Sequence, residues 1–315
     1  MIKFGAVNID VSHPLSFTWA LEKIGRAKYT AVYNDGFRGE DELLAYAKKY
    51  DLKICSTLEE LAESVDVVFI HSCNWDKHLD YLEPFIKLNK IVYIDKPLVG
   101  NMKDVDKYLE MVKSGAKVIG TSALRYTYEV KNALSKFKEL NTRPVQTIVT
   151  SGGDGFSYFI HAVEEVLGIH DSEPISCKYF KGSTFGEFET ENYVINFKNG
   201  TQGQVVCIEN RGIFWNTIIL TEDNDASTDF CFAVDNAKLY ESLMESVCDY
   251  FEGKENILIP PEKHVDGIKV LLAGKVSKEN GGETVNLDDK RLYDVSYDGN
   301  AYYDAYSKKA RKIYL

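Results

Sequence analysis

The stretch DVVFIHSCNWDKHLDYLEPFIKLNKIVYIDKPL, Asp66 to Leu98, decides how this chain folds. Val67 to Ile70 is a four-residue apolar run, too short for a helix and suited to a strand buried on both faces. Leu79, Leu82, Phe85, Ile86 and Leu88 then recur near helical spacing. Asn89 follows where a helix needs a left-handed stop, a conformation Asn tolerates well. Ile91 to Ile94 is a second apolar run. The stretch therefore reads strand, helix, strand, a unit that is parallel and right-handed in nearly all folds. Pro84 does not suit the helix and should kink it. The unit ends in Asp95-Lys96-Pro97. A lysine at the carboxyl end of a buried parallel strand stands where open α/β sheets bind ligands. Pro97, with no amide donor, closes the ladder there.

The same alternation extends outward in both directions. Residues 2–7 (IKFGAV) read as a first buried strand, followed by Asn8-Ile9-Asp10-Val11-Ser12-His13-Pro14 and a helix over 15–23. Ser12 or His13 is the expected N-cap, with Pro14 in the first turn. A strand over 29–33 ends in Asn34-Asp35-Gly36, a helix spans 40–50, and a short strand covers 53–55. Thr57 and Glu60 form a capping box. A helix over 103–114 and a strand over 117–120 complete the pattern of a doubly wound, dinucleotide-binding parallel sheet. After a helix over 128–139 the chain becomes strand-rich: 145–150, 175–180, 192–197, 203–209 and 215–220, with an Asn199-Gly200 hairpin turn. Helices over 240–251 and 265–277 follow. The fold class is therefore α/β. A Rossmann domain over 1–124 precedes an α+β domain over 125–315 with a mostly antiparallel sheet. The Tyr- and Lys-rich tail, 290–315, reads either as an ordered arm packing on one of the domains or as a frayed end.

Composition excludes several classes of function. The net charge of −11 over 315 residues argues against binding nucleic-acid phosphates or anionic lipid. No apolar run approaches membrane-span length, and the start, MIKFGAV, enters a strand directly, so neither a membrane anchor nor a signal peptide is expected. Cys55, Cys73, Cys177, Cys207, Cys231 and Cys248 are dispersed, as in a reduced cytoplasmic protein, and no metal-ligand spacing is present. His170 and His264 read as surface residues.

Cys73-Asn74-Trp75-Asp76-Lys77-His78, Leu88-Asn89-Lys90 and Asp95-Lys96-Pro97 resemble the Gfo/Idh/MocA oxidoreductase family. Its members carry Thr-Pro-Asn-x-x-His, Ala-Gly-Lys and Glu-Lys-Pro at the same spacing. Ala123-Leu124-Arg125-Tyr126 is similar to the family's domain junction. The run Gly152 to His161 is similar to its Gly-Gly-x-x-x-Asp-x-Gly-x-His, and residues 271–287 to its final helix and strand.

The resemblance implies NAD or NADP as cofactor, a sugar or polyol as substrate, and a homo-oligomer formed through the exposed face of the second domain's sheet. It implies Lys96 beside the reacting hydroxyl, with His161 relaying the hydroxyl proton over the same cleft, chemistry that suits an ammonium and an imidazole. Trp75, Arg125, Ser157 and Tyr158 would line the substrate. Gly5, Asn8, Asp10, Ser12, His13, Asn34, Asp35, His71, Ser72, Cys73, His78 and Asp95 would surround the cofactor. No metal is implied.

Two departures stand out. Asn8, Asp10 and His13 occupy the three positions of the missing Gly-x-Gly-x-x-Gly, and an aspartate there faces the cofactor phosphates. Some family members carry a similar Asp-Thr-Ser-His. Ser157 stands where the family has an aspartate four residues before the histidine, with Asp154 as a possible substitute. These departures favour an alternative, a small-molecule binding or regulatory protein that kept the fold and lost hydride transfer, whereas Lys96 and His161 oppose it.

Overall fold

The computed structural model describes residues 1–153, 155–223 and 225–315. Asp154 lies outside them. In chain order the elements are β1 (Ile2–Val7), α1 (His13–Ile24), β2 (Ala27–Tyr33), α2 (Glu40–Tyr50), β3 (Lys53–Ile54), α3 (Leu58–Ser64), β4 (Val67–Ile70), α4 (His78–Lys87), β5 (Ile91–Ile94), α5 (Met102–Lys113) and β6 (Lys117–Ile119). There follow α6 (Tyr128–Leu140), β7 (Pro144–Gly152), α7 (Phe156–Ile169), β8 (Pro174–Phe185), β9 (Phe188–Phe197), β10 (Gln202–Ile208), β11 (Trp215–Thr221), β12 (Phe230–Ala233), α8 (Glu241–Phe251), α9 (Asp266–Glu279), β13 (Thr284–Asn286) and α10 (Gly299–Lys309).

Two compact units form. One comprises Met1–Thr121, Tyr240–His264 and Asp298–Leu315; the other comprises Ser122–Leu239 and Val265–Tyr297. The chain thus returns twice to the first unit, whereas the sequence placed everything after residue 124 in the second domain.

The first unit holds a six-stranded parallel sheet in the order β3-β2-β1-β4-β5-β6. The order reverses between β1 and β4, which is where such sheets bind ligands. Every residue of β4 is buried, as a strand covered by helices on both faces requires. Phe4, Phe17, Phe69 and Tyr93 form an aromatic seam, with Phe69 stacked 5.0 Å from Tyr93. Asn89 takes φ 54° after α4, the left-handed stop expected of it. Helix α4 runs through Pro84 and ends one turn later at Lys87. The returning α8 is tied to the end of α1 by Arg26, whose guanidinium lies 2.7 Å from both Asp249 and Glu252. His264, read as a surface residue, is buried with its Nδ1 2.7 Å from the Tyr108 hydroxyl.

The second unit holds a seven-stranded sheet, β12-β11-β7-β10-β9-β8-β13, antiparallel except for the β7–β10 pair. Gly200 takes φ 89° in the β9–β10 turn, as the Asn-Gly pair predicts. Helix α7 packs along β7 and β10 and carries His161. Its buried face includes nearly every residue, which leaves no one-sided periodicity in its sequence. His170, also read as a surface residue, is buried between Thr147 and Thr201 and stacked on Phe197, and burial pulls its pKa down to about 4.

Candidate active site

The loop from β1 into α1 rebuilds the missing glycine turn with side chains. Asn8 adopts φ 67°, so the first glycine position keeps its left-handed backbone with a residue that tolerates it. Its side chain is engaged: Oδ1 accepts the Asp35 amide at 2.9 Å, and Nδ2 donates to the Tyr81 hydroxyl at 3.0 Å. That hydroxyl in turn donates to Asp35 at 2.6 Å. Asn34 Oδ1 accepts the Ile9 amide at 3.2 Å. Asn34 and Asp35, expected around the cofactor, here brace the loop.

Asp10 is fully buried across the switch point. Its Oδ2 accepts the Cys73 amide at 3.1 Å and the Ser72 hydroxyl at 3.3 Å; its Oδ1 accepts the Phe37 amide at 3.3 Å. Burial raises its pKa, and these donors pull it back. A Cβ on Gly36 would come within 2.0 Å of Asp10 Oδ1, so only glycine allows this closure. One carboxylate therefore ties together the ends of β1, β2 and β4.

At the end of β5, Asp95 Oδ2 accepts His13 Nδ1 at 2.5 Å and His71 Nδ1 at 3.0 Å, while Oδ1 accepts the Lys96 amide at 2.8 Å. Burial alone would raise the Asp95 carboxyl, but the two imidazoles outweigh it and hold it well below the usual carboxylate range. Burial lowers the His71 pKa, so its ring is neutral. With Nδ1–H on Asp95, Nε2 accepts the Tyr29 hydroxyl at 2.9 Å. Asp95, His13 and His71 lie within 4.8 Å of one another, a grouping no sequence spacing suggested. Two imidazole N–H groups on one carboxylate satisfy each other without a cation.

Lys96 is partly buried beside this carboxylate. Desolvation brings its ammonium down to about 8, against the pull of Asp95 and Cys73. An ammonium in that range is mostly charged at neutral pH and can still yield its proton.

Other expected residues lie elsewhere. Gly5 sits inside β1, where a Cβ would press on Leu61 and Val65 at 2.9–3.1 Å, so it serves helix packing rather than the crevice. His78 is buried between the Leu98 and Ser72 carbonyls, at 2.9 and 2.8 Å from its two ring nitrogens, and is a brace. Trp75, expected at the substrate, is buried 4.9 Å from the ring of Tyr302. Ser12 precedes α1 without a side-chain capping bond.

In the second unit, Ser157 and His161 lie one turn apart on α7 and both are buried. His161 Nδ1 meets Ser122 Oγ at 2.6 Å, a partner the sequence did not reveal. Ser122 also accepts the Leu124 amide at 3.2 Å, a Ser-capped 3-10 turn that was the available signal. Tyr158 packs 6.3 Å from the His161 ring, and Gly153, at φ 123°, leaves room for it. Arg125, expected at the substrate, is buried in an ion pair with Glu164 at 2.8 Å.

The strand order, with its reversal between β1 and β4, defines the class as a Rossmann fold. Residues 15–122 match the model of the oxidoreductase family with NAD-binding Rossmann fold, GFO_IDH_MocA. Similar solved structures include a probable dehydrogenase from Thermotoga maritima (20% identity, TM-score 0.73, 91% of this chain and 99% of that one). Apo scyllo-inositol dehydrogenase from Lactobacillus casei is 15% identical (TM-score 0.76, 92% and 99%). Myo-inositol dehydrogenase from the same organism, in complex with NAD(H) and myo-inositol, is 13% identical (TM-score 0.71, 93% and 99%). No curated protein matches the chain. Among the described residues no helix is long and apolar enough to cross a membrane.

The family is NAD-binding, yet the crevice in this arrangement does not fit a dinucleotide. The Asp10 carboxylate stands at the second glycine position, where backbone normally approaches the pyrophosphate, and Asn8, Asn34 and Asp35 are tied to one another.

Proposed function

We propose that the protein is an NAD(P)-dependent oxidoreductase acting on a hydroxyl of a sugar, polyol or related compound. The observation that carries this reading is Lys96, an ammonium brought down to about 8 at the carboxyl end of β5, in a domain that matches the model of an oxidoreductase family. The relatives of the same fold that are described as inositol dehydrogenases support the substrate class.

In this reading Lys96 hydrogen-bonds the reacting hydroxyl and stabilises negative charge developing on its oxygen. Asp95, kept ionised by His13 and His71, orients the Lys96 backbone and raises the ammonium's proton affinity against desolvation. His161 relays the hydroxyl proton, with Ser122 fixing its ring through Nδ1. Ser157 and Tyr158 flank that imidazole on the first turn of α7 and are assigned to substrate contact.

A second copy of the chain is assigned to the open face of the second unit's sheet. Ile148 and Ile218 face each other across the β7–β11 pair there, and Ile218 and Leu220 are 42% and 40% exposed. The reading also places the protein in the cytoplasm, consistent with six cysteines that form no disulfide.

The test is a panel of sugars and inositols with NAD and NADP, followed by nicotinamide absorbance. Turnover lost in Lys96→Met supports the assignment, and turnover unchanged by that substitution removes it. The closed crevice around Asp10 favours a second reading, a binding protein without redox activity; cofactor that never binds at millimolar concentration would select it.

A further inference from the structure

The last eighteen residues, 298–315, lie along the nucleotide side of the first unit's own sheet. They are held at three places, each at the carboxyl end of a strand or on the loop or helix that follows it. After β4, the Asp76 carboxylate accepts the Gly299 and Asn300 amides at 2.9 and 3.2 Å, an anion at the N-terminus of α10. Asn74 Nδ2 donates to Asn300 Oδ1 at 2.9 Å. The approach is so close that a Cβ on Gly299 would sit 2.8 Å from Asn74 Oδ1 and the Asp76 nitrogen. After β2, Tyr303 and Tyr306 pack edge-on to Phe37 at 5.7 and 5.9 Å. Burial and the nearby Asp10, Cys73 and Asp35 push the Tyr303 hydroxyl up to about 12.

The third anchor is the end of the chain. Arg38, buried, donates to Asp10 O at 2.9 Å, Glu42 at 2.8 Å and Arg311 O at 3.1 Å. Glu42 accepts the Ile313 amide at 3.0 Å. The Tyr314 hydroxyl donates to Val11 O at 2.7 Å, inside the loop between β1 and α1, and its ring packs 4.9 Å from Tyr46. The arm therefore crosses from β4 over β2 and ends against the β1 loop. Two of these three places, the β1 loop and the end of β2, are where a sheet of this order holds the pyrophosphate and the ribose.

We infer that residues 298–315 are a built-in occupant of the nucleotide crevice, and that NAD(H) or NADP(H) binds only when this arm lifts away and the Asp10 closure, which the arm braces through Arg38 and Val11, opens with it. The inference rests on reading the domain as nicotinamide-dependent. The arm is suited to leave: of α10 only Gly299 is buried, and Tyr314 is the one buried large side chain beyond it. A segment with few buried apolar contacts opens at low cost relative to the whole fold. The apparent cofactor affinity is then the intrinsic affinity multiplied by the fraction of molecules with the arm open.

The experiment compares the full chain with a version ending at Tyr297, by titration with NADH and NADPH followed by fluorescence. A full-length Gly299→Val variant, whose Cβ cannot fit against Asn74 and Asp76, serves if the shortened chain fails to fold. The expected result is binding about tenfold tighter or more when the arm is removed or displaced. In the unaltered protein, saturating cofactor should also raise hydrogen exchange at 299–315. Equal affinity in all three forms, or cofactor bound with the arm's amides still protected, overturns the inference, as does an absence of binding in every form. Arm-dependent binding without turnover of any hydroxyl compound would leave it standing and sink the oxidoreductase reading instead.

Discussion

Ser122 Oγ lies 2.6 Å from Nδ1 of His161, a hydroxyl partner for the ring, whereas the family resemblance implies a carboxylate at the position of Ser157. A hydroxyl orients an imidazole without stabilising its protonated form as strongly as a carboxylate does. Ser122→Ala should therefore lower kcat by roughly 10- to 100-fold with KM little changed, through lost ring orientation. Ser122→Thr should restore most of the rate, an outcome a purely structural role would not produce. Steady-state kinetics on the three proteins checks this.

Lys96 carries the pH dependence. Its ammonium, brought to about 8 by desolvation, is charged below that value and lost above it. If the charged form stabilises the reacting oxygen, the rate should fall as pH passes about 8. Lys96→Arg, which stays charged throughout, should be slower overall but lack that falling limb. Lys96→Met should cost about 10²- to 10³-fold in kcat. A pH–rate profile of each variant distinguishes these outcomes.

Glu165 in α7 should weaken the fold as pH rises. Burial pushes its carboxyl up to about 8 from 4.5, and Thr217 donates to Oε1 while Oε2 has no hydrogen-bond partner among the described residues. Between pH 4.5 and 8 the folded state holds a proton that the unfolded state has released, so stability falls with pH across that window. The slope for this one group is at most about 1.4 kcal/mol per pH unit. Glu165→Gln should flatten the urea-unfolding stability over this range and exceed the unaltered protein near pH 8.

The buried pair Arg125–Glu164, at 2.8 Å, makes a prediction about stability rather than catalysis. Glu164→Ala leaves a buried guanidinium without its nearest carboxylate and should cost about 3 kcal/mol or more. The apolar double replacement Arg125→Met with Glu164→Leu should recover much of that loss. Thermal unfolding of the single and double variants measures it. If Arg125 binds substrate instead, the double variant would be stable and unable to bind substrate.

The strand–helix–strand of Asp66 to Leu98 was legible because local rules decide it: short apolar runs, helical spacing and an Asn stop lie within a few residues of one another. The β9–β10 hairpin was legible for the same reason. Helix α7 was not, since a helix buried nearly all round shows no polar face. His170 and His264 were misread because each finds its hydroxyl partners 23 or more residues away in the chain. The packing of Trp75 was not legible because its ring partner, Tyr302, is on the returning arm.

The sequence by itself determined the parallel six-stranded sheet, the lysine at the end of its fifth strand and the absence of the glycine loop, because spacing and residue type are local properties. Only the tertiary structure decided that Asp10 closes the switch point, that Asp95 is shared by His13 and His71, that Ser122 holds His161, and that the tail runs along the nucleotide side of the sheet. Those contacts join residues up to 303 positions apart. Hydrogen bonds and ion pairs over such separations exist only after the apolar core has brought the strand ends together, so no pattern along the chain encodes them.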